Sequence, residues 1–204
     1  KIAIIGGGIS GLYIANLLEK EKNYKYKIFE KRSKLNVEEG YGIQLSVNSI
    51  KLLNKINFRN ISAADICFPS KVNFFKSNNP NKICDIDLTQ FNDDLNRYTT
   101  IKRSTLLKFL LESIPKDKIK FNTTLSHLDY SNNIKAYFSD ASEENFDFLI
   151  IADGVFSQSK LIITKESSKP KYNNSIALRG KLNKHNDNNI SIFMGSNFHY
   201  VIYP

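Results

Sequence analysis

The chain has 204 residues, of which 41% are hydrophobic and 24% are charged, and its formal net charge is +9. This length and composition are typical of a soluble globular protein with a hydrophobic core. No apolar run approaches the ~18 residues that a membrane helix needs. The basic residues are scattered among acidic ones, without a stripe of cations and aromatic side chains, which argues against nucleic-acid binding. The charge favours anionic partners such as acidic lipids or phosphorylated cofactors, and the alternative is a general drift of the composition toward Lys, Asn and Ile.

Two further features set the context of the chain. It starts at Lys1 without a methionine and stops at Pro204 inside a predicted strand, so we expect a segment of a longer protein. Cys67 and Cys84 lie far apart and fit no metal-ligand spacing, and no other metal site is predicted. The two cysteines are predicted to be reduced, buried thiols of a cytoplasmic protein.

The first thirty residues predict a βαβ unit. Lys1–Ile5 is a short apolar strand, and Ile9 to about Glu21 carries apolar residues at helical spacing. Tyr26–Phe29 is a second strand, which ends at Glu30. A unit of this length implies a parallel pair of strands and a right-handed crossover.

Later elements follow from periodicity and turn residues. They are, in chain order, a helix from near Ser46, strands over Val72–Phe75 and Ile83–Leu88 around a turn at Asn79–Asn81, a Leu-rich helix behind Arg103 with Ser104 as its N-cap, strands over Ile119–Phe121, Thr124–Tyr130, Ile134–Ser139 and Phe146–Ile151, and strands over Ser175–Leu182, Ile190–Phe193 and Phe198–Tyr203. The turn at Asn132–Asn133 favours an antiparallel meander. Phe148–Ile151 is continuously apolar, as expected of a strand buried on both faces.

The segment Gly6-Gly7-Gly8-Ile9-Ser10-Gly11 satisfies the pattern G-x-G-x-x-G between a strand and a helix. In that pattern the first glycine permits the tight turn, the second lets a pyrophosphate approach, and the third allows close helix packing. A carboxylate at Glu30 suits the hydroxyls of an adenosine ribose and disfavours a 2′-phosphate, although Lys31–Arg32 weakens that exclusion. These residues leave FAD and NAD open, and the alternative is a glycine-rich turn beside an exposed glutamate.

Two later segments resemble a known family. They are Ala152-Asp153-Gly154-Val155-Phe156-Ser157-Gln158-Ser159-Lys160 and the arginine–Leu-rich helix at Arg103. With the glycine loop and Gly40–Asn48, they resemble the class A flavoprotein monooxygenases, the p-hydroxybenzoate hydroxylase-like family. The chain departs from the family pattern at Lys160, where arginine is usual, and it has no later Gly-Asp motif before Pro204.

The resemblance implies an α/β fold with two parts. Residues 1–164 would form the first part of a Rossmann-like FAD-binding domain with an inserted β-meander, and residues 165–204 the start of a mixed-sheet substrate domain. The cofactor-binding residues it implies are Gly6, Gly8, Ser10, Gly11, Glu30, Lys31, Arg103, Asp153 and Gly154. The Asp153–Gly154 segment would serve both FAD and the pyridine nucleotide.

The last predicted strand resembles the salicylate- and 3-hydroxybenzoate-hydroxylase branch of the family. In a strand over Phe198–Tyr203, His199 and Tyr203 share one face. A histidine and a tyrosine there are candidate catalytic residues, because they could bind and deprotonate a phenol. The alternative is a half-exposed strand whose side chains only cover the sheet.

The predicted function is that of an FAD-dependent monooxygenase that uses NADH or NADPH and O2 to hydroxylate a small aromatic or other electron-rich ring. The fragment alone is expected to be inactive. Alternatives are a halogenase- or reductase-like FAD enzyme of the same fold and a non-catalytic dinucleotide-binding module. The sequence leaves peripheral membrane docking and the oligomeric state open.

Overall fold

The computed structural model describes residues 1–35, 41–131, 133–166, 170–182 and 187–204. The strands are β1 (Ile2–Ile5), β2 (Tyr26–Phe29), β3 (Gly42–Leu45), β4 (Ile66–Cys67), β5 (Lys71–Lys76), β6 (Asn79–Asp87), β7 (Thr99–Lys102), β8 (Ile119–Lys120), β9 (Leu125–Asp129), β10 (Ile134–Phe138), β11 (Glu143–Phe146), β12 (Phe148–Ile151), β13 (Ile190–Met194) and β14 (His199–Ile202). The α-helices are α1 (Ile9–Glu21), α2 (Val47–Leu53), α3 (Arg103–Glu112) and α4 (Gln158–Thr164). Short 3-10 helices cover Asn54–Ile56, Phe58–Asn60, Ala63–Asp65, Thr89–Phe91 and Lys116–Lys118.

The structure divides into two units, each discontinuous in sequence. The first unit is made of Lys1–Asn36 and Leu107–Ala177, and the second of Val37–Leu106 and Leu178–Pro204. The described part of residues 37–106 thus groups with the last strands of the chain. The functional division into domains 1–164 and 165–204 stays a prediction.

The first unit contains a parallel sheet with the strand order β12-β1-β2-β8. Ile2 pairs with Tyr26 and Ile5 with Phe29, so β1 and β2 end side by side. Ile5 also pairs with Ile151 at the end of β12. The loops that follow these three strands therefore all begin at the carboxyl-terminal edge of the sheet. The predicted parallel βαβ unit is confirmed.

The core of the first unit lies between the parallel sheet and an antiparallel meander. The meander has the strand order β11-β10-β9. Phe29 of β2 stacks on Phe138 with ring centroids 4.0 Å apart and meets Phe146 edge-on at 5.9 Å. The buried cluster consists of Ala3, Ile5, Phe29, Leu125, Leu128, Ala136, Phe138 and Phe146. The predicted α/β fold with an inserted meander is confirmed, while the turn residue Asn132 lies outside the described residues.

Helix α1 packs through one narrow face. Its buried residues are Gly11, Leu12, Ala15 and Asn16, which recur at helical spacing. The side-chain amide of Asn16 donates hydrogen bonds to the carbonyl oxygens of Leu12 (2.8 Å) and Leu110 (2.7 Å). The second bond connects α1 to α3, since Leu110 belongs to that helix.

The second unit contains two sheets. One has the order β14-β13-β5-β6, in which the parallel pair β13–β5 lies between two antiparallel pairs. The predicted mixed sheet is thereby confirmed. Phe193 stacks between Phe75 and Tyr200, with ring centroids 5.0 and 4.5 Å apart. The other sheet has the order β3-β7-β4 and is antiparallel.

Three local predictions of secondary structure were wrong. Residues Ser175–Leu182 form no strand, and Leu178 is 91% exposed. Alternating apolar residues favour a strand, but a strand also needs a hydrogen-bonding neighbour, and in the described part of the chain none pairs here. The turn between β5 and β6 falls at Ser77–Asn78, before the predicted Asn79–Asn81. Ser104 lies inside α3, which begins one residue earlier, at Arg103.

Two predictions of burial were also wrong. Phe148 is 69% exposed because β12 is an outer strand of the described sheet. Cys67 and Cys84 are exposed, for they too lie on outer strands, β4 and β6. Among the described residues, no helix has both the length and the apolar character that crossing a membrane requires.

Candidate functional site

The glycine loop between β1 and α1 is crowded at two points. Gly6 has a φ of +108°, and a Cβ atom there would lie 2.4 Å from the carbonyl oxygen of Ala152. A Cβ atom at Gly11 would lie 2.0 Å from the carbonyl oxygen of Gly6. Neither position has room for a side chain. The first and last glycines of the motif therefore serve the tight turn and the close packing of α1 on β1.

The middle glycine of the motif faces open space instead. A Cβ atom at Gly8 would meet no atom within 4 Å. Gly8 is also the N-cap of α1, and no side chain caps that end of the helix. A helix N-terminus carries free N–H groups and a partial positive charge. The loop therefore has space and free amides that could hold an anion such as a pyrophosphate.

Glu30 lies directly after β2, beside this loop. Its Oε2 accepts a hydrogen bond from the backbone N–H of Gly7 at 2.7 Å, and its Oε1 accepts one from the N–H of Arg32 at 3.0 Å. Glu30 is only 7% exposed, whereas the neighbouring Lys31 is exposed. The alternative of an exposed glutamate beside the loop is wrong, since this carboxylate is buried and fixed by two amides.

A cleft of about 460 Å³ opens beside the same sheet edge. It is lined by Ser10, Ile151, Ala152, Asp153, Gly154, Ser157 and Lys160. Oδ2 of Asp153 accepts a hydrogen bond from the N–H of Ser159 at 3.2 Å, whereas Oδ1 is inaccessible to solvent and has no hydrogen-bond partner among the described residues. A buried carboxylate oxygen without a donor is costly, so a ligand that supplies a hydroxyl or an N–H would suit this position. The cleft brings Ser10 together with Asp153 and Gly154.

Sequence reasoning missed the part played by Gly7. The motif leaves its second position unspecified, yet Gly7 contacts Glu30 directly. The only signal in the sequence was the run of three glycines at residues 6–8, because the motif requires glycine only at the first and third of these positions. Ser157 was noticed only as part of a motif, and its hydroxyl oxygen accepts a hydrogen bond from the N–H of Lys160 at the start of α4.

The remaining predicted site residues belong to the second unit. Arg103 is the first residue of α3, is half-buried, and donates its backbone N–H to the carbonyl oxygen of Tyr41 at 3.0 Å. His199 is exposed at the start of β14, opposite Met194. Tyr203 follows the end of that strand, and its hydroxyl donates a hydrogen bond to the carbonyl oxygen of Gly42.

In the same unit, the hydroxyl of a second tyrosine also donates a hydrogen bond. Tyr98 donates its hydroxyl to Oε1 of Gln44 at 2.7 Å. Burial, and secondarily the charge of Tyr203 when ionised, raises the pKa of Tyr98 above its ordinary value. Tyr98 is therefore held as a neutral hydrogen-bond donor at physiological pH.

Solved structures share this fold. The structure of Klebsiella pneumoniae HpxO complexed with FAD and uric acid superposes with a TM-score of 0.81 at 18% identity, over 100% of this chain and 53% of that one. The 2,6-dihydroxypyridine-3-hydroxylase of Arthrobacter nicotinovorans gives a TM-score of 0.67 at 18% identity, over 84% and 41% of the two chains. The chain has the fold of the FAD-dependent hydroxylases.

Sequence comparisons point to the same group. A family described as an NAD(P)-binding Rossmann-like domain matches residues 4–38. The 3-amino-4-hydroxybenzoate 2-monooxygenase of Streptomyces cremeus is 24% identical over 100% of this chain and 53% of its own length. The 6-methylsalicylate 1-monooxygenase of Aspergillus terreus is 28% identical over 88% of this chain and 43% of its own. The predicted resemblance to flavoprotein monooxygenases is confirmed, and the chain spans about half the length of these relatives.

Proposed function

We propose that the protein is an FAD-dependent monooxygenase that uses NADH or NADPH and O2 to hydroxylate an aromatic or other electron-rich ring. The observation that carries this proposal is the pairing of an open helix N-terminus at Gly8 with a buried, amide-bound carboxylate at Glu30. In an adenosine diphosphate group, the helix N-terminus suits the diphosphate and the carboxylate suits the ribose. The relatives and solved structures that share the fold support FAD as the nucleotide.

The residues present fit FAD. Gly8, with Ser10 at the mouth of the cleft, would receive the pyrophosphate, while Gly6 and Gly11 would give the loop the shape that this needs. Glu30 would accept hydrogen bonds from the hydroxyls of the adenosine ribose, and Lys31 would lie beside them. When bound, FAD supplies the hydride acceptance and the oxygen activation that no side chain can.

Other predicted contacts complete the cofactor site. Asp153, in the wall of the cleft, would turn its carboxylate to accept a hydrogen bond from a cofactor hydroxyl, and Gly154 leaves the backbone open next to it. Arg103 would contact the cofactor as well. In this scheme residues 1–164 are the first part of the FAD-binding domain and residues 165–204 the start of the substrate domain.

The substrate is proposed to be a small aromatic compound with a phenol group. The two relatives named above act, by their names, on an amino-hydroxybenzoate and a methylsalicylate. His199 would take the phenol proton as a general base, and Tyr203 would help to position the ring. Electron donation from the phenolate assists hydroxylation. We place the enzyme in the cytoplasm.

Binding and turnover are tested separately. The purified protein should take up FAD and show flavin absorbance, while a colourless protein that does not bind added FAD would overturn the proposal. In the complete protein, oxidation of NADH or NADPH should rise with salicylate or 3-hydroxybenzoate, and the product should carry one extra oxygen atom by mass spectrometry. Oxidation of the nucleotide without any oxygenated product would favour the reductase-like alternative.

A further inference from the structure

We propose that Gly7 and Glu30 form a clamp that holds the glycine loop in its binding shape before any nucleotide is present. Glu30 would then act as a positioning residue for the phosphate end of the nucleotide, as well as a contact for the ribose. The identity of the ligand rests on the proposed function. The clamp itself is a property of the free protein and can be tested without that assumption.

The carboxylate of Glu30 is already engaged at both oxygens. The N–H of Gly7 lies 2.7 Å from Oε2, and the N–H of Arg32 lies 3.0 Å from Oε1. The side chain is 7% exposed, so little water competes for these bonds. Hydrogen bonds from amides to a carboxylate are stronger than those between neutral groups. The glutamate is therefore held in one orientation.

Gly7 is fitted closely to this carboxylate. A Cβ atom at residue 7 would lie 3.1 Å from Oε2 of Glu30 and 3.0 Å from Cδ2 of Leu35. The N–H of the preceding Gly6 donates to the carbonyl oxygen of Phe29 at 2.8 Å. Two successive loop amides are thus bound to two successive residues at the end of β2.

The clamp determines which amides remain for a phosphate. Because Gly6 donates to Phe29 and Gly7 to Glu30, the phosphate is left to Gly8 and the first turn of α1, and the structure is open at Gly8. Each carboxylate oxygen has two lone pairs, so Glu30 keeps acceptor capacity for the ribose hydroxyls. A fixed carboxylate also cannot turn away from a 2′-phosphate, which strengthens the charge-based exclusion of that group.

The first experiment measures the loop in the complete protein without FAD. Glu30→Gln removes the charge and one acceptor, while Glu21→Gln changes an exposed glutamate on α1 and is the matched control. We expect amide hydrogen exchange at Gly7 to become at least about tenfold faster in Glu30→Gln only, the factor for losing one hydrogen bond to a charged group. We also expect the amide proton of Gly7 to resonate downfield in wild type, because it is bonded to a carboxylate, and to move upfield in the variant. Glu30→Ala removes both side-chain oxygens and should show at least the same increase, so exchange equal to wild type in Glu30→Ala would overturn the clamp.

The second experiment separates the phosphate end from the ribose end. ADP and 2′,3′-dideoxy-ADP differ only in the ribose hydroxyls, and their affinities are measured by calorimetry. If the clamp positions the loop, Glu30→Gln weakens binding of both. If Glu30 acts through the ribose alone, binding of the dideoxy compound stays at the wild-type value, and the positioning role is refuted.

The outcomes also distinguish this inference from the proposed function. Wild-type protein that binds neither ADP nor FAD would sink the proposed function, while hydrogen exchange at Gly7 would still decide whether the clamp exists. Should Glu30→Gln not fold, Glu30→Asp takes its place, since it keeps the charge but withdraws the carboxylate by one methylene group. The same exchange increase at Gly7 is expected there, and none would contradict the clamp.

Discussion

The carbonyl oxygen of Ala152 covers Gly6 so closely that a Cβ atom at residue 6 would lie 2.4 Å from it. This contact joins the loop after β1 to the loop after β12, the two loops that border the candidate cleft. Gly6→Ala would add steric overlap to a φ of +108° that side chains rarely adopt. We expect the free energy of unfolding to fall by about 1–3 kcal/mol. Urea denaturation of the protein without FAD measures this loss.

For Gly8→Ala, in the same loop, we expect the opposite effect on stability. A Cβ atom at Gly8 meets no protein atom within 4 Å, so we expect the free energy of unfolding to change by less than about 0.5 kcal/mol. The added methyl group would instead occupy the space that a pyrophosphate needs. FAD affinity, measured by fluorescence titration, should therefore fall while stability is kept. Unchanged FAD affinity would remove Gly8 from the cofactor site.

The sequence predicted the βαβ unit because its signals are local. A strand, a glycine motif and a helical period each need only neighbouring residues, and the structure follows them from Ile2 to Phe29. It did not predict what depends on distant partners. Ser175–Leu182 has the alternating pattern of a strand but pairs with no neighbouring strand in the described part of the chain. The exposure of Phe148 follows from the position of β12 at the end of the strand order. The contact of Gly7 with Glu30 likewise depends on side-chain direction across the loop.

A third prediction concerns the buried amide that connects α1 and α3. Asn16 is 6% exposed and donates to Leu110 at 2.7 Å. Asn16→Leu would leave the Leu110 carbonyl without this donor in the core, at a cost of about 1–3 kcal/mol in the free energy of unfolding. Asn23→Leu changes an exposed asparagine just after the same helix and is the control. Equal effects of both variants in urea denaturation would contradict the assignment.

A fourth prediction links stability to pH through Asp140. Hydrogen bonds from Lys120, at 2.6 Å, and then from Ser142 hold the pKa of Asp140 well below its ordinary value. Because the folded-state pKa is lowered, the stabilisation is present above the unfolded pKa of about 4 and is lost as pH falls below it.

Asp140→Asn tests this sign directly. We expect the variant to be less stable than wild type at pH 6, and the difference to shrink at pH 3 in urea denaturation. The exposed Asp94→Asn serves as the control for removing one negative charge. A difference between Asp140→Asn and wild type that is the same at both pH values would show that the carboxylate has no favourable partner in the folded protein.

The last prediction separates the two candidate catalytic residues. Tyr203→Phe removes the hydrogen bond to the Gly42 carbonyl, so the free energy of unfolding should fall by about 0.5–1.5 kcal/mol. His199 is exposed, and His199→Ala should leave stability within about 0.5 kcal/mol of wild type. In the complete enzyme, His199→Ala should lower the rate of hydroxylation far more than FAD affinity, as single-turnover kinetics and flavin titration would show. A parallel loss of rate and FAD affinity would instead mean that His199 supports the fold, because a proton acceptor for the substrate has no part in holding the cofactor.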